Sequence, residues 1–168
     1  SDLGGLTTGQ VIGFSLSDIS ILTTSQLSGF TAAQFAAFTT TQLNGFPATI
    51  LADLSAGQAA AITSSQLGGV TTTVLNAIST TNFAALSNGQ LSGLTPTELG
   101  GLSTTNFGVL SSSQLGSLTT TQVLGLGSAN LSGLTTSQFS GFSTTQLSSL
   151  TTTQIGALTV TIVADLTA

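Results

Sequence analysis

The chain contains no Lys, Arg, His, Cys, Met, Trp or Tyr among its 168 residues, and it has only five acidic residues. Without His, Cys, Lys or Tyr, the usual general bases and activated nucleophiles are missing. Ser and Thr are abundant, but a hydroxyl without a neighbouring base does not act as a nucleophile. We therefore expect that this protein is not an enzyme.

The same absences exclude several classes of ligand. Zinc sites use Cys or His, and calcium needs six or more converging oxygens, whereas the five acids are scattered at Asp2, Asp18, Asp53, Glu98 and Asp165. No basic residue is present to neutralise phosphates. Thr, Ser or Gln interrupts every apolar run well before the length of a membrane span. We expect no metal, no cofactor, no nucleic-acid partner and no transmembrane segment.

An eight-residue repeat runs through the whole chain. Large apolar residues recur every eighth position from Leu6 to Leu166, and we call these 21 positions the first series. A second series lies three residues earlier, from Leu3 to Val163, and only Ala59 in it is small. Ser or Thr follows the first series in 19 of 21 octads, and Gln comes three residues later in 12. The consensus is Leu-Thr-Thr-Thr-Gln-Leu-x-Gly.

This consensus is typical of a helix start. In a capping box, a Ser or Thr side chain accepts a hydrogen bond from the third helical N–H, and a Gln or Glu there bonds back to the cap. Thr119 and Gln122 have this spacing, and Leu118 and Val123 are placed as the flanking hydrophobic staple. The sequence therefore predicts one helix start in each octad.

Residues 94–102 give the strongest version of the pattern. Thr95 is the predicted cap, Pro96 takes the first helical position, where its missing N–H costs nothing, and Glu98 is the box partner. We predict structural capping roles for Thr95 and Glu98, as for Thr119 and Gln122.

The other columns of the octad have simple interpretations. The Gly near its end predicts a helix stop in the left-handed conformation. We expect each Gln to cap its own turn, with a hydrogen-bonded ladder of Gln side chains as the alternative. The Ser and Thr rows are interpreted as caps and solvated surface, and the nine Phe as core.

The predicted fold is an all-α repeat solenoid of period eight, in which stacked one-turn capped helices form an elongated superhelix. Helices this short need neighbours, because isolated helices below about 12 residues are marginal. A β-solenoid is the alternative, since Thr, Val, Ile and Phe favour strands. Gaps of three and five between apolar residues fit a straight strand poorly, because they alternate between its faces.

The predicted domain organisation is one continuous array over residues 1–168. Placing the end before the start gives Leu-Thr-Ala-Ser-Asp-Leu, an intact octad with Thr167 as cap and Asp2 in the box position. These residues are the predicted head-to-tail junction. We expect the chain to be part of a longer array or a filament subunit that self-associates head to tail, with lateral association left open.

The octads LTTTQVLGL and LTTSQFSGF resemble the Thr-, Gln- and Leu-rich repeat tracts of very large secreted bacterial surface proteins, including adhesin-like ones. The resemblance covers the whole chain and implies an extracellular or cell-surface, load-bearing or spacing role. No site residues carry over from it. The expected function is a structural, fibre-forming or stalk segment. The alternative is a binding module that presents regular Thr and Ser hydroxyls to ice, a glycan or another surface.

Overall fold

The computed structural model describes residues 2–165, and in that range it contains a short 3-10 helix followed by twenty α-helices of four to six residues, with no strand. Two compact units are present, the first ending at Gly93 and the second beginning at Leu94.

The first unit contains, in chain order, η1 (Asp2–Gly5), α1 (Thr8–Ile12), α2 (Leu16–Ser20), α3 (Thr24–Leu27), α4 (Ala32–Ala37), α5 (Thr40–Gly45), α6 (Ala48–Ala52), α7 (Ala56–Ala61), α8 (Ser64–Leu67), α9 (Thr72–Ala77), α10 (Thr80–Ala84) and α11 (Asn88–Leu91). The second contains α12 (Pro96–Gly100), α13 (Thr104–Gly108), α14 (Ser112–Gly116), α15 (Thr120–Leu124), α16 (Ser128–Ser132), α17 (Thr136–Phe139), α18 (Thr144–Ser149), α19 (Thr152–Gly156) and α20 (Val160–Asp165).

Each helix begins where the octad consensus places its cap. At α15, Thr119 is extended (φ −71°, ψ 158°), and its Oγ1 accepts a hydrogen bond from the Gln122 N–H at 3.2 Å. Gln122 Oε1 accepts the Thr119 N–H in return, at 2.9 Å. The exceptions follow the sequence, because Pro47 and Gly127 occupy the cap position of α6 and α16 and supply no side-chain bond.

Helix ends differ from the prediction. No residue in the range 2–165 has positive φ, so the expected left-handed glycine stop is wrong. Gly101, which follows α12, has φ −90° and ψ −1°, and Leu102 then donates its N–H to the Leu99 carbonyl. The residue that caps the next helix has an extended backbone, so that its side chain can accept a helical N–H. Each helix therefore ends because the residues after it adopt the extended conformation of the next N-cap.

Packing joins helices that lie three apart in the chain. In the first unit α1 packs on α4 and α4 on α7, and in the second α12 packs on α15 and α15 on α18. Both apolar series point into these contacts, and every member between Leu27 and Phe142 is buried. Burial of a Leu-type side chain stabilises a fold by roughly 1.5–3 kcal/mol, so stacking supplies what a one-turn helix lacks.

Four phenylalanine rings pack against one another in the core of the first unit. The rings of Phe30, Phe35, Phe38 and Phe46 are buried, with centroids 5.1–5.9 Å apart in mostly edge-to-face pairs. They lie in the core, as the sequence pattern indicated. The predicted fold class, a solenoid of capped one-turn helices, is confirmed, and the β-solenoid alternative is not supported.

Candidate functional site

The box glutamines do more than cap their own helices. Gln58 Oε1 accepts the Ser55 N–H at 3.0 Å, which completes the capping box of α7. Its Nε2 donates to the carbonyls of Leu27 and Phe30, at 2.8 and 2.9 Å. These carbonyls lie 31 and 28 residues earlier in the chain. One amide thus closes a helix N-terminus and ties it to a preceding turn of the solenoid.

The same bridge recurs in both units, and we call the set of bridges the glutamine ladder. Each member donates its Nε2 to a carbonyl 28 residues earlier, and most also bond the carbonyl 30 or 31 residues earlier. The members are Gln34, Gln42, Gln58, Gln66, Gln90, Gln122, Gln138, Gln146 and Gln154. The expectation that each Gln serves only its own turn is wrong.

The ladder solves a general problem of short helices. The last carbonyls of a helix have no partner within it, and a buried unpaired carbonyl costs about 1–3 kcal/mol. In Gln66, Nε2 reaches the Phe35 and Phe38 carbonyls at 3.3 and 2.6 Å, while only 6% of its surface is exposed. A fully bonded buried amide fixes the relative position of the two turns more sharply than apolar contact does.

The structure places both predicted cap pairs in complete boxes. Thr95 donates its N–H to Glu98 Oε2 at 2.6 Å, and Thr95 Oγ1 accepts the Glu98 N–H at 3.3 Å. Gln122, paired with Thr119, also donates to the Leu94 carbonyl at 2.8 Å. The predicted junction lies outside this account, because Thr167 and the side chain of Asp2 are not among the described parts of the chain.

Where Asn replaces Gln at the box position, it makes the inter-turn bond but not the capping bond. Asn82 Nδ2 donates to the Leu54 carbonyl at 2.6 Å and Asn130 Nδ2 to the Leu102 carbonyl at 3.1 Å. Neither helix has a complete capping box. In α10 the Ser79 Oγ accepts the Asn82 N–H, but the Asn side chain, one methylene shorter than Gln, does not bond back to the cap, and in α16 the cap residue is Gly127, which has no side chain. Asn130 Oδ1 is buried without a partner. The inter-turn bond is therefore retained where the capping box is incomplete.

A side chain that caps α16 should stabilise the protein, because Gly127 supplies no capping hydrogen bond. Gly127 is already extended, and a Cβ there meets only the Gly100 carbonyl oxygen, at 3.4 Å. We expect Gly127→Ser to be more stable than Gly127→Ala by about 1 kcal/mol, because only the serine can accept the Asn130 N–H. Urea unfolding of the two variants measures the difference. Equal midpoints would contradict the capping account of this helix.

One box is completed from a distant residue. Val74 occupies the box position of α9 and cannot accept a hydrogen bond from its cap, Thr71. Asn44 Oδ1 accepts the Thr71 N–H instead, at 2.8 Å, and Asn44 Nδ2 donates to the Gly69 carbonyl at 3.3 Å. Sequence reasoning missed this residue. The repeat consensus carries no signal for it, because the bond spans 27 positions.

Paired glycines allow the turns to approach. Gly68 and Gly93, 25 residues apart, lie so close that a Cβ added to Gly68 would be 2.2 Å from the Gly93 oxygen. The same spacing relates two pairs in the second unit, Gly100 with Gly125 and Gly116 with Gly141, where the corresponding distances are 2.5 and 2.4 Å. At these paired positions glycine serves close backbone contact, where the sequence predicts a conformational role.

The glutamine ladder and the caps offer hydrogen-bonding groups and apolar side chains. No group of three or more acidic, His or Cys side chains in the described range could hold a metal ion. Between residues 2 and 165, no helix has both the length and the hydropathy needed to cross a bilayer. The cap hydroxyls of Thr and Ser are occupied as acceptors of backbone N–H groups. What the arrangement can do is join successive turns.

Asp18 is one of the acidic residues at the box position of the octad. The Ser15 hydroxyl and then the Ser15 backbone N–H donate to its carboxylate at 2.7 and 3.0 Å, and these bonds hold the pKa of Asp18 below its ordinary value. A lowered pKa means that the folded state favours the charged form. Its stabilising contribution is therefore present at neutral pH and is lost as the pH falls through the lowered value.

An NMR titration of the Asp18 carboxyl carbon tests this directly. We expect a midpoint below that of an unstructured Asp. Ser15→Ala should move the midpoint upward, because it removes the hydroxyl hydrogen bond, which lowers the pKa of Asp18 more than the backbone bond does. An unchanged midpoint in Ser15→Ala would contradict the assigned cause.

Residues 123–160 match a family model described as the ALTTAQ repeat. The matched stretch spans nearly five octads of the second unit, and Leu150 to Gln154 read Leu-Thr-Thr-Thr-Gln. No curated protein and no solved structure matches the chain significantly. Part of the chain is thus similar to a known repeat family, which supports the short-repeat part of the resemblance and not its secreted adhesin-like context.

Proposed function

We propose that this chain is a structural, fibre-forming or stalk segment of an extracellular bacterial filament or adhesin, assembled end to end by continuation of the octad register. The observation that carries the proposal is the glutamine ladder. Each rung joins one turn to another through the backbone, and the rung recurs in successive octads of both units, as at Gln58 and Gln66 and again at Gln146 and Gln154. Such a pattern has no intrinsic stopping point and favours extension.

The physical demands on a stalk fit the rest of the molecule. Cohesion is spread over many equivalent contacts, so that no single bond carries the fold. The absence of Cys and Met removes the side chains most prone to oxidation. The absence of Lys and Arg removes every cleavage site for trypsin-like proteases. These properties suit a secreted material that has to persist.

The binding alternative is less well supported. It requires rows of free hydroxyls, whereas the cap hydroxyls accept backbone N–H groups throughout the array. Some exposed Ser residues near helix ends, such as Ser28 and Ser140, donate to carbonyls of their own helices. The other exposed Thr and Ser residues follow the caps at the first two helical positions, as Thr104 does. They are interrupted by Ala, Leu, Val and Pro in the same column, which breaks the regular lattice that ice would need.

Light scattering and electron microscopy of the purified chain test the proposal together. We expect a mass distribution above the 16.6 kDa of one chain that grows with concentration, with filaments visible in the same samples. Ice recrystallisation should proceed as in a buffer containing a control protein. A monodisperse monomer at every concentration, together with inhibition of ice recrystallisation, would favour the binding module.

A further inference from the structure

Two asparagines of the chain are followed by glycine, and the structure places them in different surroundings. The pairs are Asn44–Gly45 and Asn88–Gly89, whereas the other four asparagines precede Ala, Phe or Leu. An Asn–Gly pair is chemically reactive in water, because glycine has no side chain to hinder attack of its backbone nitrogen on the preceding side-chain amide. How each amide is held therefore decides which pair can react.

The Asn44 side chain is held at both ends of its amide. Its Oδ1 accepts the Thr71 N–H at 2.8 Å, and its Nδ2 donates to the Gly69 carbonyl at 3.3 Å. These partners lie 27 and 25 residues further along the chain, on another turn of the first unit. To react, the side chain would have to lose both bonds, and the N-cap of α9 would lose the acceptor of its N–H. The inter-turn contact thus protects this pair.

Asn88 has none of these restraints. It is the first residue of α11, it is exposed, and its side chain makes no hydrogen bond within residues 2–165. Gly89 is also exposed, and a Cβ on it would meet only Ser87 Oγ within 4 Å, at 3.8 Å. The Ser87 hydroxyl accepts the Gln90 N–H and leaves that of Gly89 without an acceptor in the described range. The attacking nitrogen and the amide are therefore both accessible.

The reaction at Asn88 requires only a short helix to open. Ring closure needs rotation about the Asn88 Cα–C bond, away from the helical value of ψ. That rotation breaks the bond from the Ser92 N–H to the Asn88 carbonyl, now 2.9 Å, in a helix of four residues. Local opening of so short an element requires less free energy than global unfolding, so the folded chain reaches the reactive conformation.

We propose that Asn88–Gly89 is a site of spontaneous deamidation in the folded chain, and that the contact of Asn44 with the α9 cap suppresses the same reaction at Asn44–Gly45. The Gly89 nitrogen forms a bond to Asn88 Cγ, and the side-chain nitrogen leaves as ammonia with the proton that Gly89 gives up. The product is a five-membered succinimide. Water then opens either carbonyl of the ring, which gives aspartate or isoaspartate. No oxidant, reductant or metal is needed.

The two products differ in what they do to α11. Aspartate adds a negative charge at the first helical position, which the helix dipole favours. Isoaspartate adds one carbon to the backbone between Ser87 and Gln90, so the three-residue spacing of their capping box is lost. Gln90 also donates to the Ala59 and Ile62 carbonyls, at 3.1 and 2.8 Å. Isoaspartate at this position therefore weakens one rung of the glutamine ladder as the chain ages.

Peptide mass spectrometry of the aged chain tests the proposal. The folded chain is incubated at mildly alkaline pH and digested with pepsin in acid, and the mass increase of deamidation is followed in each Asn–Gly peptide. We expect Asn88 to convert at least about tenfold faster than Asn44. In urea the two pairs should convert at similar rates, because the contacts that distinguish them are gone.

Two glycine variants identify the reacting nitrogen. Gly89→Ala puts a methyl beside that nitrogen in open space, so we expect it to slow conversion of Asn88 at least about tenfold and to leave Asn44 unchanged. Gly57→Ala is the matched control, because Gly57 is the second residue of α7, as Gly89 is of α11, and is equally open. It should change neither rate.

Each contrary result overturns a different part of the proposal. If the folded chain converts Asn44 as fast as Asn88, or faster, the inter-turn contact does not protect. If folded Asn88 stays intact while the urea-unfolded chain reacts at both pairs, the structure does not leave this site reactive. An unchanged Asn88 rate in Gly89→Ala would exclude attack by the Gly89 nitrogen. None of these results alters the structural function, which light scattering and microscopy test separately.

Discussion

Gln58→Glu is expected to lower the free energy of unfolding by about 3–5 kcal/mol at pH 7. The carboxylate can still accept the Ser55 N–H, so the local capping box survives. It cannot donate, and the Leu27 and Phe30 carbonyls that now receive the amide would instead face a buried negative charge. The substitution therefore removes the inter-turn half of the side chain's role and keeps the local half. Urea unfolding measures the loss.

Gln26→Glu is the matched control. Gln26 makes the same box with Thr23 but is exposed, and it donates to no carbonyl in the described range. A carboxylate there favours the helix N-terminus, so we expect stability to be unchanged or slightly higher. Equal losses in the two variants would mean that the amide bridge contributes nothing beyond capping.

The pH dependence gives Gln58→Glu a second signature. Burial beside carbonyls disfavours the charged form of the introduced carboxyl, so its pKa should rise above the ordinary value for Glu of about 4.3. A group whose pKa is raised on folding adds stability below its unfolded pKa and loses it as the pH rises through the folded one. The variant should therefore recover stability on acidification, when the protonated carboxyl can donate one bond. Gln26→Glu should show no such recovery.

Gly93→Ala is expected to destabilise the first unit by about 3 kcal/mol, near the upper end of the usual cost of overpacking. A Cβ at Gly93 would lie 2.0 Å from the Ser64 oxygen and 2.5 Å from its carbonyl carbon. These are backbone atoms of α8, so no rotamer change can relieve the clash, and the turns must separate. Separation would also strain the bond from Gln90 Nε2 to the Ile62 carbonyl, now 2.8 Å.

Gly57→Ala should act in the opposite direction. Gly57 lies inside α7, and a Cβ there would meet nothing within 4 Å. Alanine is the better helix former and reduces the entropy of the unfolded chain, so we expect a gain of about 0.5–1 kcal/mol. Thermal unfolding of both variants tests the sign difference. Two changes of the same sign would contradict the assignment of Gly93 to close packing.

Local features of this fold follow from the sequence because they depend on neighbours within a few residues. The Thr95 cap, Pro96 at the first helical position and the Glu98 box partner are all set within one octad. The alternation of the two apolar series likewise identifies the buried side of each helix. An eight-residue consensus was therefore sufficient to predict the helices, their starts and the core.

The inter-turn features could not be obtained in the same way. Whether Gln58 reaches a carbonyl 31 residues back depends on the path of the chain around the solenoid, and the consensus does not contain that path. The role of glycine is hidden from the local sequence for a related reason. A side chain at Gly68 would clash with Gly93, which lies on another turn. The local sequence does not show this approach, and a glycine near a helix end is more commonly a left-handed helix stop.

Hydrogen exchange of the glutamine side-chain amides tests the central claim, that box glutamines tie one turn to another. NMR resolves these amides residue by residue after isotope labelling. We predict slow exchange of the Nε2 hydrogens of Gln42, Gln58 and Gln66, which are buried against carbonyls, and fast exchange for Gln10 and Gln26. Exchange of all five at the rate of a free amide would contradict the account.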